Sequence, residues 1–302
     1  MFDDRFGCPA VVDVQRCTDC DHFFCWPPLG SDEIGSLYEQ FYGRSKVNSA
    51  DVARQAGHNV DTPKWKRWFR GESNSGQHIA PRSSRLLDIG SGACQDVLEA
   101  KLLGHDAHGF DVDSTSELLG RAVGVDVRSG PNVGAAFPND HFDWVQLNQV
   151  IEHYVDPVSS MRDIVELVRP GGAVFIATPN ASSLLRRLTG RRWINWHVPY
   201  HQQHFTRRSL VQVLEGCGLK VDSVRTVTPS VWFLLQIRSL VTRPTPGAAN
   251  ETWEPRQVAA GPREKAVRAV AFAALMVAGA LSRVLDVLRT GESLVVVARK
   301  PM

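Results

Sequence analysis

The feature that most limits the fold of this chain is the segment LLDIGSGAC at 86–94. An apolar run broken only by Asp88 ends at Gly90, Ser91 and Gly92, and an amphipathic stretch over 93–103 follows until Gly104. A short apolar run bounded by glycines reads as a buried strand, and the stretch after it as a helix. Glycine tolerates positive φ and lets the backbone come close to a ligand. A buried strand that turns through glycines into a helix opens a βαβ unit, and such units build parallel sheets covered by helices. Ligands bind these sheets in the crevice beyond the carboxyl ends of the strands. Asp111 closes the next strand, AHGFD at 107–111, about 20 residues downstream, where a carboxylate can accept both hydroxyls of a ribose. A dinucleotide site fits poorly, because Gln95 stands where the third glycine of G-x-G-x-x-G belongs and Asp88 precedes the turn. The plain alternative is a strand–turn–helix corner that holds no ligand.

The same alternation continues over 85–227. Strands are expected at 85–89, 107–111, 124–127, 143–147, 172–178 and 220–227, with a seventh at 293–299. Helices are expected after Ser114 or Thr115, over 157–168, and from Thr206 to the glycines at 216 and 218. The flanking segments differ in character. Residues 1–30 are cysteine-rich, 31–84 read as a helical cap, 228–293 as an apolar helical insertion, and 294–302 complete the last strand. A chain of 302 residues with 43% apolar and 22% charged residues is an ordinary globular composition. A net charge of +2 gives no global field for nucleic acid. The start, MFDDRFG, has acids where a signal peptide has a basic region, and the longest apolar run, 269–281, has 13 residues; about 20 are needed to span a bilayer. The expectation is a cytoplasmic protein that can touch a membrane surface.

LLDIGSGAC, GFDVD, AAFPNDHFDWVQLNQVIEHYVDP, LVRPGGAVFIATPN and HFTRRSLVQVLEGCGLKV follow one another over 85–227. In order and spacing they resemble class I S-adenosylmethionine-dependent methyltransferases, nearest to the broad group that includes the ubiquinone-biosynthesis O-methyltransferases. The resemblance implies an α/β, Rossmann-like seven-stranded sheet with a terminal antiparallel hairpin, here carrying an N-terminal cap and a C-terminal helical insertion. It implies S-adenosyl-L-methionine as cofactor. Asp88, Gly90, Ser91 and Gly92 would wrap its methionine part, Asp111 would hold the ribose, and Asn148 with Gln149 would line the methionine end. The chain departs from the family pattern in three places. Cys94 replaces a glycine, Asn132 is the substitute for the acid that commonly meets adenine, and Ala135-Ala136 stand where Leu-Pro usually precedes the fourth strand.

Methyl transfer from a sulfonium is an in-line displacement, so the protein must position the acceptor and take its proton. Glu152 and His153 fall just past the fourth strand, and His197, His201 and His204 after the fifth. Glu152, His153 and His201 are therefore the catalytic candidates. In part of the family an E-x-x-E-H pattern with a later histidine binds a divalent metal; here Gln149 stands in for the first glutamate. A metal, a metal-free histidine base and a purely structural role all remain open. Cys17-x-x-Cys20 is half a zinc ribbon that Cys8, His22 or Cys25 could complete. The stretch 185–197 holds four arginines with Trp193 and Trp196, which could grip a phosphate or stack a ring, or form a solvated loop. The insertion reads as a buried helix or an interfacial one with cations on headgroups. The function expected is O-methylation of a small or lipid-linked acceptor such as a glycan sugar or quinol. A non-enzymatic binding protein and an RNA methyltransferase are the alternatives.

Overall fold

The computed structural model describes residues 1–41, 47–72, 75–242, 244–250, 253 and 262–302. The chain begins with a hairpin, β1 (Asp13–Arg16) and β2 (Phe23–Trp26), followed by α1 (Ser31–Gln40), α2 (Ser49–Asp61) and α3 (Lys64–Arg70). The core then runs β3 (Arg85–Ile89), α4 (Gln95–Leu102), β4 (Asp106–Asp111), α5 (Ser114–Val123), β5 (Asp126–Ser129), β6 (Phe142–Asn148), α6 (Pro157–Leu167) and β7 (Val168–Pro179). After it come α7 (Leu184–Thr189), β8 (Gln203–His204), α8 (Arg207–Gly216), β9 (Lys220–Val227), α9 (Ser230–Thr242), α10 (Pro262–Val287) and β10 (Ser293–Arg299).

Seven strands form one sheet in the order β5-β4-β3-β6-β7-β10-β9. β5, β4, β3, β6 and β7 are parallel, and β10 lies antiparallel between β7 and β9. This is the Rossmann-like architecture expected. Alternate residues of the central strands feed two cores. Leu87, Ile89, Val145, Leu147 and Ile176 face α6 and α8, while Leu86, Trp144, Phe175 and Val295 fill the opposite face. Burial on both faces explains why these strands read as continuous apolar runs.

Local chemistry shifts some boundaries. Asp113, not Ser114 or Thr115, caps α5 by accepting from Thr115 N–H. Gly124 is the left-handed end of that helix (φ 78°), so the third core strand begins two residues later than expected, at Asp126. Extended structure begins at Val168 because Arg169 precedes Pro170, which disfavours helix there. Thr206 caps α8 as expected.

The flanks are built into the core. β2 pairs with β8 to make a three-stranded sheet, and Val12, Cys25, Trp193, Trp196 and Val198 share one apolar cluster. Among the described residues of 31–84, α1, α2 and α3 are the α-helices, but α2 does not cap the site: Val52 and Ala56 pack with Val97, Leu98, Val125 and Val127, continuing the helical layer. The 228–293 insertion holds α9 and α10. α10 outlasts the 13-residue apolar run because Ser282 and Arg283 interrupt the run and not the helix. By length and composition its Val270–Val287 window could cross a membrane, although only 28% of it is buried in the protein.

Candidate active site

The cofactor half begins at the end of β3. Gly90 (φ 75°) and Gly92 (φ 43°) take conformations that favour glycine. A Cβ at Gly90 would stand 2.4 Å from Val150 Cγ2, so this turn and the segment after β6 approach each other only because residue 90 has no side chain. Ser91 Oγ donates to the Asp88 carbonyl (2.8 Å) and accepts from Phe110 N–H (3.0 Å), riveting the turn to β4. Gly92 N–H donates to Asp111 Oδ2 (2.7 Å) and Asp113 N–H to Asp111 Oδ1 (2.9 Å), which fixes the Asp111 carboxylate at the mouth of the turn. Cys94 has φ 58°, which explains the glycine usual there; its thiol is buried and reaches the Ser116 carbonyl at 3.1 Å.

Below the turn lies a polar layer that the sequence did not announce. Gln146 Nε2 donates to Asp88 Oδ1 (2.9 Å), Asn148 Nδ2 to Asp96 Oδ2 (3.0 Å), and Gln77 Nε2 to Asp96 Oδ1 (3.2 Å) and Glu99 Oε2 (3.0 Å). Burial, and next the Asp96 charge, push the Asp88 carboxyl well above the usual range. Burial raises Asp96 too, with Glu99 adding to it. Among the described residues neither Asp88 nor Asp96 forms an ion pair; neutral donors hold them, the amides of Gln146, Asn148 and Gln77 and, for Asp88, the Ser91 hydroxyl as well. Buried carboxylates in this state favour a ligand that brings positive charge. Asn148 therefore faces this layer, whereas Asn132 accepts from Gly134 N–H (2.7 Å) and caps an exposed turn.

A cluster of Glu152, His153 and His201 follows Val150. Glu152, only 1% exposed, accepts from Thr178 Oγ1 (2.9 Å) through Oε2, while its Oε1 is buried without a partner among the described residues. His153 Nδ1 lies 3.1 Å from the Tyr200 carbonyl oxygen and 2.7 Å from the Tyr38 hydroxyl. A carbonyl can only accept, so Nδ1 carries the proton and Nε2 offers its lone pair. His201 Nδ1–H donates to the Asn195 carbonyl (3.0 Å), which leaves Nε2 open there as well. The two rings meet edge to face at 4.7 Å. One donor atom each from Glu152, His153 and His201 lies within 4.8 Å of the others. Burial lifts the Glu152 carboxyl to about 8 and lowers His153 to about 4. Burial, then the neighbouring His153, also lowers His201. Both imidazoles are thus neutral near pH 7, with anchored Nδ1–H groups.

The other candidates are placed differently. His197 packs on Phe6, Tyr200 and His201. His204 sits edge-on to Trp196 with neither ring nitrogen bonded. Trp193 and Trp196 are buried, and their N–H groups donate to Glu292 (2.6 Å) and the Gly190 carbonyl (2.9 Å), so they cannot stack a nucleic-acid base. Arg192 donates to the Ser239 and Leu240 carbonyls (2.9 and 2.7 Å). The zinc expectation at Cys17 and Cys20 lacks a third ligand among the described residues. Cys25 points inward to the His201 carbonyl (3.2 Å), and His22 Nε2 is bonded to Gln203 Oε1 (2.8 Å). Tyr38, Gln77 and Asp96 were missed. Tyr38 lies on α1 and Gln77 in a short 3-10 turn, and neither segment carries a local pattern that marks a site residue.

A mostly parallel α/β sheet with a glycine turn over acidic side chains, and a Glu152–His153–His201 cluster beside it, defines the class. A family model described as a methyltransferase domain matches residues 63–224. The chain belongs to this family of class I S-adenosylmethionine-dependent methyltransferases. A ubiquinone biosynthesis O-methyltransferase of Aeromonas salmonicida is 32% identical over 158 residues, 47% of this chain and 66% of that protein. One from Thiobacillus denitrificans is 26% identical over 160 residues, 48% of this chain and 68% of that protein. The matches thus span about half of this chain and about two thirds of those relatives. Among solved structures, the methyltransferase bound to the Trm112 activator of Haloferax volcanii aligns with a TM-score of 0.50 at 14% identity, over 83% of this chain and 98% of that one. The [4+2]-cyclase SpnF aligns with 0.51 at 16% identity, over 90% and 96%. These two likenesses show the fold alone, and a cyclase on it shows that the fold does not dictate the reaction.

Proposed function

We propose that the chain transfers a methyl group from S-adenosyl-L-methionine to an oxygen of a small or lipid-linked acceptor. The observation that carries this reading is the pair of carboxylates beneath the Gly90–Gly92 turn, Asp88 buried and Asp96 half-buried, which neutral hydrogen-bond donors hold without a cation among the described residues. The cofactor's ammonium and sulfonium bring the positive charge that such a crevice lacks. Asp111 stands beside the turn, where ribose hydroxyls would meet its carboxylate. On the acceptor side His153 and His201 present neutral Nε2 atoms that can take a hydroxyl proton as the methyl group arrives. The ubiquinone-type relatives favour a quinol-like acceptor over a glycan sugar.

The test separates the two halves. Titration calorimetry with S-adenosylmethionine should show Asp111→Ala weakening binding by about 1–3 kcal/mol, the range for a polar group left without its charged partner. Unchanged affinity would remove Asp111 from the site. Turnover with quinol analogues and glycan lipids then identifies the acceptor.

A second reading rests on the same triad. Two imidazoles with Nδ1–H groups fixed by backbone carbonyls, beside a carboxylate oxygen without a partner, fit a divalent cation. Glu152, His153 and His201 would hold it, and it would supply positive charge to acidify the acceptor hydroxyl. The nitrogen-rich set suits a transition ion better than magnesium. Loss of turnover on chelation, restored by zinc or manganese, separates this reading from a metal-free base.

A further inference from the structure

We propose that α3 and the free face of α10 form one docking surface for an anionic bilayer, which sets the acceptor end of the sheet against the lipid headgroups. The inference deepens the lipid-linked acceptor reading but stands on different residues.

Over residues 270–287, α10 is apolar where it meets solvent. Val270, Phe272, Val277, Leu281, Val284 and Val287 are all exposed, Val277 by 61% and Val287 by 78%. Residues 270–273 and 276–277 are exposed in succession, all round the helix, so none of the described residues covers this part from one side. α3, with the sequence KWKRWFR, lies against it. Trp65 and Trp68 are exposed by 66% and 55%, Lys64 and Lys66 are exposed, and the Lys66 ammonium lies 5.5 Å from the Trp65 ring. The two helices are fastened. A Cβ at Gly279 would fall 2.5 Å from the Phe69 ring, so the glycine lets α3 sit directly on α10. Arg283 donates to the Thr228 carbonyl (2.6 Å), pairs with Asp286 (2.9 Å) and lies 5.7 Å from the Trp68 ring.

Tryptophans with lysines at the edge of an apolar helix suit the boundary between headgroups and acyl chains. Charge argues for lipid over a second copy of the chain. Along α3, α9 and residues 270–287 there is one acid, Asp286, and Arg283 engages it. A two-fold contact between identical surfaces would set lysine against lysine, whereas an anionic bilayer complements them. Crossing the bilayer is opposed by Ala278, Gly279, Ser282, Arg283 and Leu285, which are buried against the body. The eight residues 270–277 reach about 12 Å, against an apolar core about 30 Å thick. α10 leads through a short turn into Glu292 and Ser293. Glu292 holds the Trp193 indole (2.6 Å) and Ser293 donates to the Thr178 carbonyl (3.2 Å), beside the Glu152 pocket. Docking along α10 would therefore bring that pocket to the surface where a lipid-linked acceptor resides.

The experiment is vesicle flotation of the full chain. Vesicles of phosphatidylcholine with phosphatidylglycerol should carry the protein upward at low salt, with less flotation at high salt and on phosphatidylcholine alone. Lys64→Glu with Lys66→Glu, Trp65→Ala with Trp68→Ala, and Phe272→Ser with Val277→Ser should each reduce binding about tenfold or more. Cofactor affinity, measured on the same variants, should stay unchanged; it reports both folding and the methyltransferase assignment, so the two readings fail separately. Absence of flotation on anionic vesicles overturns the proposal. So does flotation that none of the three double variants alters. A lipid-free dimer that Phe272→Ser with Val277→Ser converts to monomer would overturn it too, by identifying a second copy as the occupant.

Discussion

Single residues carry the chemistry of this fold in two different ways. Asp111 and the histidines act through bonds they offer, whereas Gly90 and Cys94 act through backbone shape. Cys94 occupies a left-handed conformation that costs a residue with a Cβ roughly 1–2 kcal/mol, yet its buried thiol contributes packing against Val97 and Val127. Cys94→Gly should therefore change stability by less than about 1 kcal/mol, because relieved strain offsets lost burial. Cys94→Val adds a β-branched side chain at the same φ and should cost more than about 2 kcal/mol. Chemical denaturation of both variants checks the pair, and equal losses would mean that backbone strain is not the deciding factor. At the acceptor side, His153→Ala or His201→Ala should lower turnover about a hundredfold with cofactor affinity nearly intact. Full turnover in both single variants would leave the two rings a packing role.

Elements were legible where their signal is local. Both-face burial made β3, β6 and β7 apolar runs, and the glycine turn, Asp111 and the cap at Thr206 lie within or beside the elements they define. What escaped reading is long-range. Tyr38 reaches His153 across 115 positions and Gln77 reaches Gln146 across 69, and nothing in either neighbourhood marks the partner. Trp193 and Trp196 looked like a surface motif among arginines because their burial depends on β2, far away in the chain. Glu292 shows the same limit. One buried carboxylate joins the start of β10 to Trp193 and Asn195, the residue whose carbonyl orients His201. Burial raises the Glu292 carboxyl above its ordinary value of 4.5. Between the unfolded value and that raised one, the folded chain keeps a proton that the unfolded chain releases. Stability from this group is thus full below pH 4.5 and declines as pH rises through the folded value. Melting temperatures across this range should fall in the wild type and less steeply in Glu292→Gln; parallel curves would show that the glutamate does not titrate as its burial requires.

At the scale of the whole molecule, the proposed cofactor site lies on β3, β4 and β6, and the proposed acceptor site is assembled from segments distant in sequence. The N-terminal strand segment belongs to the second. Asp3 is fully buried and accepts from the N–H groups of Arg5 (2.9 Å), Phe6 (3.0 Å) and Cys8 (2.9 Å), which shapes the turn that lays Phe6 against His197 and Tyr200. Tyr200 in turn supplies the carbonyl that orients His153. The bonds and ring contacts just named join none of these residues to the Gly90 turn. Phe6→Ala should therefore open the wall of the acceptor pocket and raise the acceptor KM or lower kcat, while cofactor affinity stays within about twofold, less than about 0.4 kcal/mol. Asp3→Ala, which takes the acceptor from three N–H donors, that of Cys8 buried and those of Arg5 and Phe6 half-buried, should do the same and also cost about 1–3 kcal/mol of stability. Calorimetry and turnover measured side by side decide it. If Phe6→Ala weakens cofactor and acceptor equally, the two halves are not independent, and the N-terminal segment supports the whole sheet instead of walling one pocket.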